Sequence, residues 1–216
     1  MTSRHELVWL TRAGWDAALA AAPAQHDDIL RDWYERDFPA VVRRHDPDAT
    51  GDVVCLGIPL PLAQGARARV ALQARLEHVA RRRDPLTVGD ALAGAPSQWL
   101  APLIALQRDC SGLDMRVFGS LAMASITGLP YLRPESDIDL LLRPGSRADL
   151  EAGCALLEQH ARLLPLDGEI VFPSGDAVAW REWRAAPRAR ARVLVKSLHG
   201  VRLDDPALLA ATLAPA

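Results

Sequence analysis

The chain has 216 residues, 50% of them hydrophobic and 24% charged, with a formal net charge of -2. That length suits one large or two small domains, each with its own core, and the composition is that of a globular protein, not a disordered or fibrous one. The near-neutral balance offers no global basic field to nucleic acid or membrane, no apolar run approaches the ~20 residues of a bilayer span, and Met1-Thr-Ser-Arg-His-Glu6 lacks the pattern of a secretory signal, so a cytoplasmic protein is expected.

Along the first hundred residues, tryptophan-bearing helical segments flank one extended stretch, Asp52-Val-Val-Cys-Leu-Gly-Ile-Pro59. From Ala66 to Arg83, Val70, Ala74 and Val79 fall at helical spacing and Asp84-Pro85 ends the run, which predicts a helix. It carries Arg67, Arg69, Arg75, Arg81, Arg82 and Arg83 against one acid, Glu77, and is the only dense basic stretch; on a helix Arg75 and Arg82 share a face. Gly94, Pro96 and Pro102 then punctuate the pattern and set an expected division into residues 1–95 and 96–216.

A helix to about Asp109 comes next, then a strand Met115–Phe118, a helix Ser120–Thr127 stopped by Gly128, and a buried strand Asp137–Leu142. A helix Arg147–His160 follows, with extended stretches at 162–172, 177–180 and 193–197 and a last helix capped by Asp205. Strands with irregularly interspersed helices argue for a mixed α/β or α+β sheet packed on helices. Cys55, Cys110 and Cys154 are too widely spaced for a disulfide framework or a zinc site and read as small buried hydrophobes. Lys196 is the one lysine among 25 basic residues.

The chemistry lies in two short motifs. Asp137 and Asp139 alternate with Ile138 and Leu140, so both carboxylates face one side of a strand. Paired carboxylates suit a hard cation such as Mg²⁺, which shares its remaining positions with substrate phosphates. Gly119-Ser120, 17 positions before Asp137 counted from the serine, stands where a strand hands over to a helix. Unpaired amides at a helix start favour an anion, glycine permits close approach, and serine adds a hydroxyl.

Together with the glycine turn and Arg133-Pro-Glu-Ser136-Asp137-Ile138-Asp139, this arrangement resembles the DNA polymerase beta-like nucleotidyltransferase superfamily. The resemblance implies an α+β protein, with a mixed-sheet nucleotidyltransferase fold in the C-terminal half and a smaller α/β N-terminal domain. It also implies a third metal-binding carboxylate from a later strand. Asp167 and Glu169 are the choices, and Glu169, deeper in its apolar run, is preferred.

More segments resemble a narrower family, the phosphoribosyl-dephospho-CoA transferase that makes the holo acyl-carrier protein of malonate decarboxylase. They are Phe38-Pro-Ala-Val-Val-Arg-Arg44, Leu56-Gly-Ile-Pro-Leu-Pro61, residues 119–142, Asp167-Gly-Glu-Ile-Val-Phe172, Ala177-Val-Ala-Trp-Arg-Glu-Trp183 and Val193-Leu-Val-Lys196. The resemblance implies Mg²⁺-dependent attack by a serine of the apo acyl-carrier protein on 2'-(5''-triphosphoribosyl)-3'-dephospho-CoA, with release of pyrophosphate and no nucleic-acid or membrane partner. Asp137, Asp139 and Glu169 would be catalytic, and Gly119, Ser120, Arg43, Arg44 and Lys196 would bind phosphates. Arg43 and Arg44 are expected to face the carboxylates across a domain interface, and the basic run to dock the acidic carrier. Alternative readings are AMP transfer from ATP on the same fold, and a non-catalytic binding module. For Trp180 and Trp183 the choice is between adenine stacking and, preferred, core packing.

Overall fold

The computed structural model describes residues 2–61, 69–189 and 192–214. The chain divides into two compact units, Met1–Pro85 and Leu86–Ala216. In the first, β1 (Leu7–Leu10) leads into α1 (Arg12–Ala21) and α2 (Asp27–Glu35), followed by β2 (Ala40–Val42), β3 (Val53–Pro59), β4 (Arg69–Arg75) and β5 (Val79–Arg83). The strands form an antiparallel sheet in the order β4-β3-β2-β1-β5. Thr11 starts α1 by accepting the Gly14 amide, while Trp15 and Trp33 carry the apolar sides of the two helices into the core.

The helix expected from Ala66 to Arg83 is not formed; residues 69–83 are two strands, and Ala66 and Arg67 lie outside the described residues. In β4 the exposed Arg69, Ala71, Gln73 and Arg75 alternate with buried Val70, Leu72 and Ala74, the period of a strand with one solvated face. β4 and β5 are the two edge strands of the sheet, joined by the short turn Leu76–His78. Arg75 and Arg82 thus lie on separate strands, and the stripe expected along one helical face is not formed. Arg75 instead pairs with Asp52 and Glu77, and Arg81 with Asp37.

The second unit holds β6 (Leu86–Thr87), α3 (Ser97–Asp109), β7 (Met115–Phe118), α4 (Gly119–Thr127), β8 (Ile138–Leu142), α5 (Arg147–His160), β9 (Leu166–Val171), β10 (Ala177–Ala179), α6 (Trp180–Ala189), β11 (Val193–Lys196), β12 (Val201–Asp204) and α7 (Pro206–Ala210). Its strands run in the order β12-β11-β10-β9-β8-β7-β6. β8 and β9 are parallel, joined through α5 as a parallel pair requires, and the other pairings are antiparallel. The sheet is thus mixed, and the protein is α+β.

Residues 86–95 go with this second unit. Leu86 and Thr87 pair with Val117 and Arg116, and Ser125 Oγ accepts the Gly94 amide at 3.1 Å while lying 3.0 Å from the Ala91 carbonyl. The division thus falls at Pro85, before the glycine and prolines of residues 94–102. Cys55, Cys110 and Cys154 are buried free thiols, and burial pushes Cys154 up to about 11. No helix among the described residues is long and apolar enough to cross a membrane.

Within the first unit Arg43 donates to both oxygens of Asp46, at 2.5 and 2.6 Å, and Gln73 donates to the same carboxylate at 2.9 Å. Arg43 first, then Gln73, hold the Asp46 carboxyl well below the usual range. A depressed folded value means the stabilisation is present above the ordinary carboxylate pKa of about 4 and is lost as pH falls through the depressed one. Asp46→Asn should therefore lower the melting temperature near neutrality. Scanning calorimetry should show the gap to the wild type closing in strong acid, and a gap independent of pH would exclude this ion pair as its cause.

Candidate active site

The site starts at the turn from β7 into α4. Gly119 has φ +67, a backbone region that favours glycine, and a Cβ at this position would overlap the Asp139 carboxylate. Phe118 is the register partner of Asp139, which carries that side chain onto the backbone of the turn. Asp139 therefore sits against the start of α4, where unpaired amides and the helix dipole favour negative charge. Ser120, half-buried, is the next residue of the helix.

The β8–β9 register extends the row, with Asp139 level with Asp167 on the neighbouring strand, about 4.8 Å away between strand axes. Asp167 is exposed and Asp139 half-buried. Between Asp167 and Glu169, Gly168 has φ +144, and a Cβ there would overlap the Leu140 carbonyl; only glycine lets β9 lie this close to β8 at this level. Asp137, exposed, precedes β8 by one residue. A tight turn sets it, in which the buried Ser136 Oγ accepts the Arg133 amide at 2.8 Å and the Ser136 amide donates back to the Arg133 carbonyl at 3.0 Å.

Glu169 lies two residues deeper along β9 and is 7% exposed. Its Oε1 is 2.9 Å from Lys196 Nζ, which reaches it from β11 across β10. The structure thus places Asp167 beside Asp139 and Glu169 with Lys196. Among the described residues no group of three or more His, Cys, Asp or Glu side chains is gathered where it could hold a metal ion. Arg43 and Arg44 belong to the first unit. Arg43 is engaged by Asp46 and donates Nε to the Leu56 carbonyl at 3.0 Å, and Arg44 is exposed.

Sequence reading passed over Arg181. The Pro165 carbonyl takes the Ile138 amide at 2.8 Å, so by strand alternation the Leu166 carbonyl faces the other edge. β10 reaches only as far as Glu169, and Arg181 Nη2 takes the place of the missing strand, donating to Leu166 O at 2.9 Å. Its guanidinium rests 4.5 Å from the centroid of Trp180, one peptide unit from Asp167. No local pattern marks this, because it depends on where β10 ends. Trp180 is buried and Trp183 packs 5.0 Å from Phe172 between ring centroids, core roles for both.

Two family models cover this chain: the phosphoribosyl-dephospho-CoA transferase MdcG N-terminal domain over residues 3–85, and the C-terminal domain of the same transferase over residues 85–207. The chain belongs to this family. It is accordingly a transferase, and the two family domains meet at the residue where the fold divides. Similar proteins named phosphoribosyl-dephospho-CoA transferase come from Xanthomonas campestris pv. campestris strain 8004, 41% identical over 94% of both chains, and from Bradyrhizobium diazoefficiens, 39% identical over 94% of this chain and 89% of the relative. A third, from Pseudomonas putida strain GB-1, is 33% identical over 89% of this chain and 91% of its own. No solved structure matches.

The Gly119 contact yields a direct test. Gly119→Ala should cut transferase activity by roughly a hundredfold or more, the scale of losing one charge-stabilising group, and lower the melting temperature, since the added Cβ displaces Asp139 and the backbone is strained. Activity assays beside thermal melts check this, and near-normal activity would show that the Asp139 approach to the turn is not needed.

Proposed function

We propose that the chain transfers the phosphoribosyl-dephospho-CoA group from 2'-(5''-triphosphoribosyl)-3'-dephospho-CoA to a serine of the apo acyl-carrier protein of malonate decarboxylase. The observation that carries this reading is the row Gly119, Asp139, Asp167 across β7, β8 and β9. An anion-favouring helix start stands on one side of it and carboxylates on the other. Membership of the transferase family supports the donor.

In the reaction the acceptor serine oxygen forms a bond to the α-phosphorus, the bond from that phosphorus to the bridging oxygen breaks, and pyrophosphate leaves. The α4 amides and the Ser120 hydroxyl bind oxygens of the terminal phosphates. Asp167, on the side of Asp139 away from Gly119, accepts the proton of the incoming serine. Asp137, Asp139 and Asp167 offer oxygen-only ligands, two of them exposed, of the type a hard cation takes; they are not gathered in this structure, and the cation would draw them together. Mg²⁺ held there would supply neutralisation of phosphate charge in a reaction governed by positioning and electrostatics. In this reading Asp167 replaces Glu169 as the third carboxylate, and Glu169 steadies Lys196 for the ribose-linked phosphates.

The test incubates the protein with Mg²⁺, the triphosphoribosyl donor and the apo carrier. The carrier should gain the mass of the prosthetic group, with one pyrophosphate released per modified carrier. Turnover of ATP with other acceptors, and none with this donor, would make the protein an adenylyl transferase instead. Asp137→Asn and Asp139→Asn should each lower turnover by roughly a thousandfold; the first should leave the melting temperature unchanged or raised, because it removes one of several neighbouring like charges, whereas the second also loses the charge favoured by the start of α4 and should lower it. Near-normal turnover in either variant at saturating Mg²⁺ would refute the metal-site assignment.

The Asp167 and Glu169 roles separate in the same assay. Asp167→Asn should fall with the other two, by roughly a hundredfold or more. Glu169→Gln should retain most of kcat and raise the donor KM as Lys196 loses its anchor. The reverse ranking would return the third carboxylate to Glu169.

A further inference from the structure

In-line displacement puts the entering and leaving oxygens on opposite sides of the phosphorus. If the leaving pyrophosphate lies at the Gly119 turn, on the β7 side of Asp139, the acceptor must approach over β9 and the strands beyond it. Three features of that half of the sheet bear on what it receives. Lys196 shares a face with Glu169, as their ion pair shows, and on that face its partners in the β11–β12 ribbon are Leu194, Leu203 and Val201, paired as Leu194 with Leu203 and Lys196 with Val201. These three apolar side chains are 38%, 58% and 54% exposed, whereas Val193 and Val195 on the other face are fully buried. Between the ribbon and the acid row β10 places on this face only the small side chains of Ala177 and Ala179, the first buried and the second half-buried.

The ribbon is also held rigid. Arg202 of β12 donates to both oxygens of Asp176 at 2.9 and 2.8 Å, and to Asp204 at 3.0 Å, so the apolar face is pre-formed. By strand spacing it lies about 10 to 15 Å from Asp167, a distance a small folded acceptor spans while its serine reaches the phosphorus. Lys196, with 36% of its side chain exposed, and Arg181, held at the Leu166 carbonyl near the start of β9, are the cations nearest this half of the sheet. The combination suits a partner with apolar side chains near its serine and acidic residues around them.

We propose that the protein acceptor docks on the β10–β12 half of this sheet face, with Leu194, Val201 and Leu203 as its apolar contact. The proposal rests on the transfer reaction proposed above. It replaces the basic run of the first unit, whose arginines are split between two sheet edges, as the place where the acceptor is received.

The test is steady-state kinetics of Val201→Glu/Leu203→Glu with the apo carrier protein as varied substrate, beside thermal melting and direct binding of the triphosphoribosyl donor. The carrier KM should rise about tenfold or more, the scale of losing a buried apolar contact, with melting temperature unchanged; donor affinity is compared in the threonine pair, which puts no acid opposite Lys196, and should be unchanged there. Val201→Thr/Leu203→Thr keeps strand-favouring side chains and should show a smaller rise in the same direction, which preserves the test if the acidic pair does not fold. A folded variant with unaltered carrier KM overturns the docking surface. If that variant also turns a wild-type dimer into a monomer by sedimentation, the face belongs to a second copy of the chain. Wild-type protein that binds the donor but leaves the carrier unmodified overturns the acceptor reading itself, and this surface with it.

Discussion

The contact on which the second unit depends is the approach of the Asp139 carboxylate to the backbone of Gly119. A negative side chain is brought to the start of α4, where the helix dipole and free amides offset the cost of drawing it out of water. The contact fixes the identity of residue 119 twice over, through its positive φ and through the space a Cβ would need. It also sets the register of β7 on β8, since Phe118 must lie opposite Asp139. Around it the sheet is arranged so that one edge of the site presents a helix start and the other presents carboxylates.

The parallel pairing of β8 with β9 is the second constraint. Antiparallel neighbours would bring the end of β9 to Asp139, whereas the α5 crossover returns the chain so that both strands begin at the site. Gly168 allows the close approach, and the two acids flanking it stand in different surroundings. Asp167 stays exposed at the level of Asp139, and Glu169 is buried and paired with Lys196.

Much of the second unit was legible in the sequence, for physical reasons specific to each element. β7, α4 and β8 are punctuated by residues with local meaning: the glycines at 119 and 128 and the alternation Asp-Ile-Asp. The residues 69–83 were misread because Val70, Ala74 and Val79 fit a helical period while Val70, Leu72 and Ala74 fit a strand equally well. Period alone cannot decide so short a run; the exposed arginines on β4 and β5 are the charges by which edge strands avoid pairing with other chains. Glu169 looked deeper than Asp167, and it is, but depth marked the residue that needed Lys196. Arg181 was missed since its contact depends on where β10 ends.

The most direct measurement of the central arrangement is the anomalous density of Mn²⁺ in crystals of the wild-type protein grown with pyrophosphate. The expected ion is bounded by Asp137, Asp139 and Asp167, with pyrophosphate at the Gly119-Ser120 turn and Lys196 still paired with Glu169. An ion held by Glu169 with Lys196 displaced, or pyrophosphate bound away from the start of α4, would contradict it.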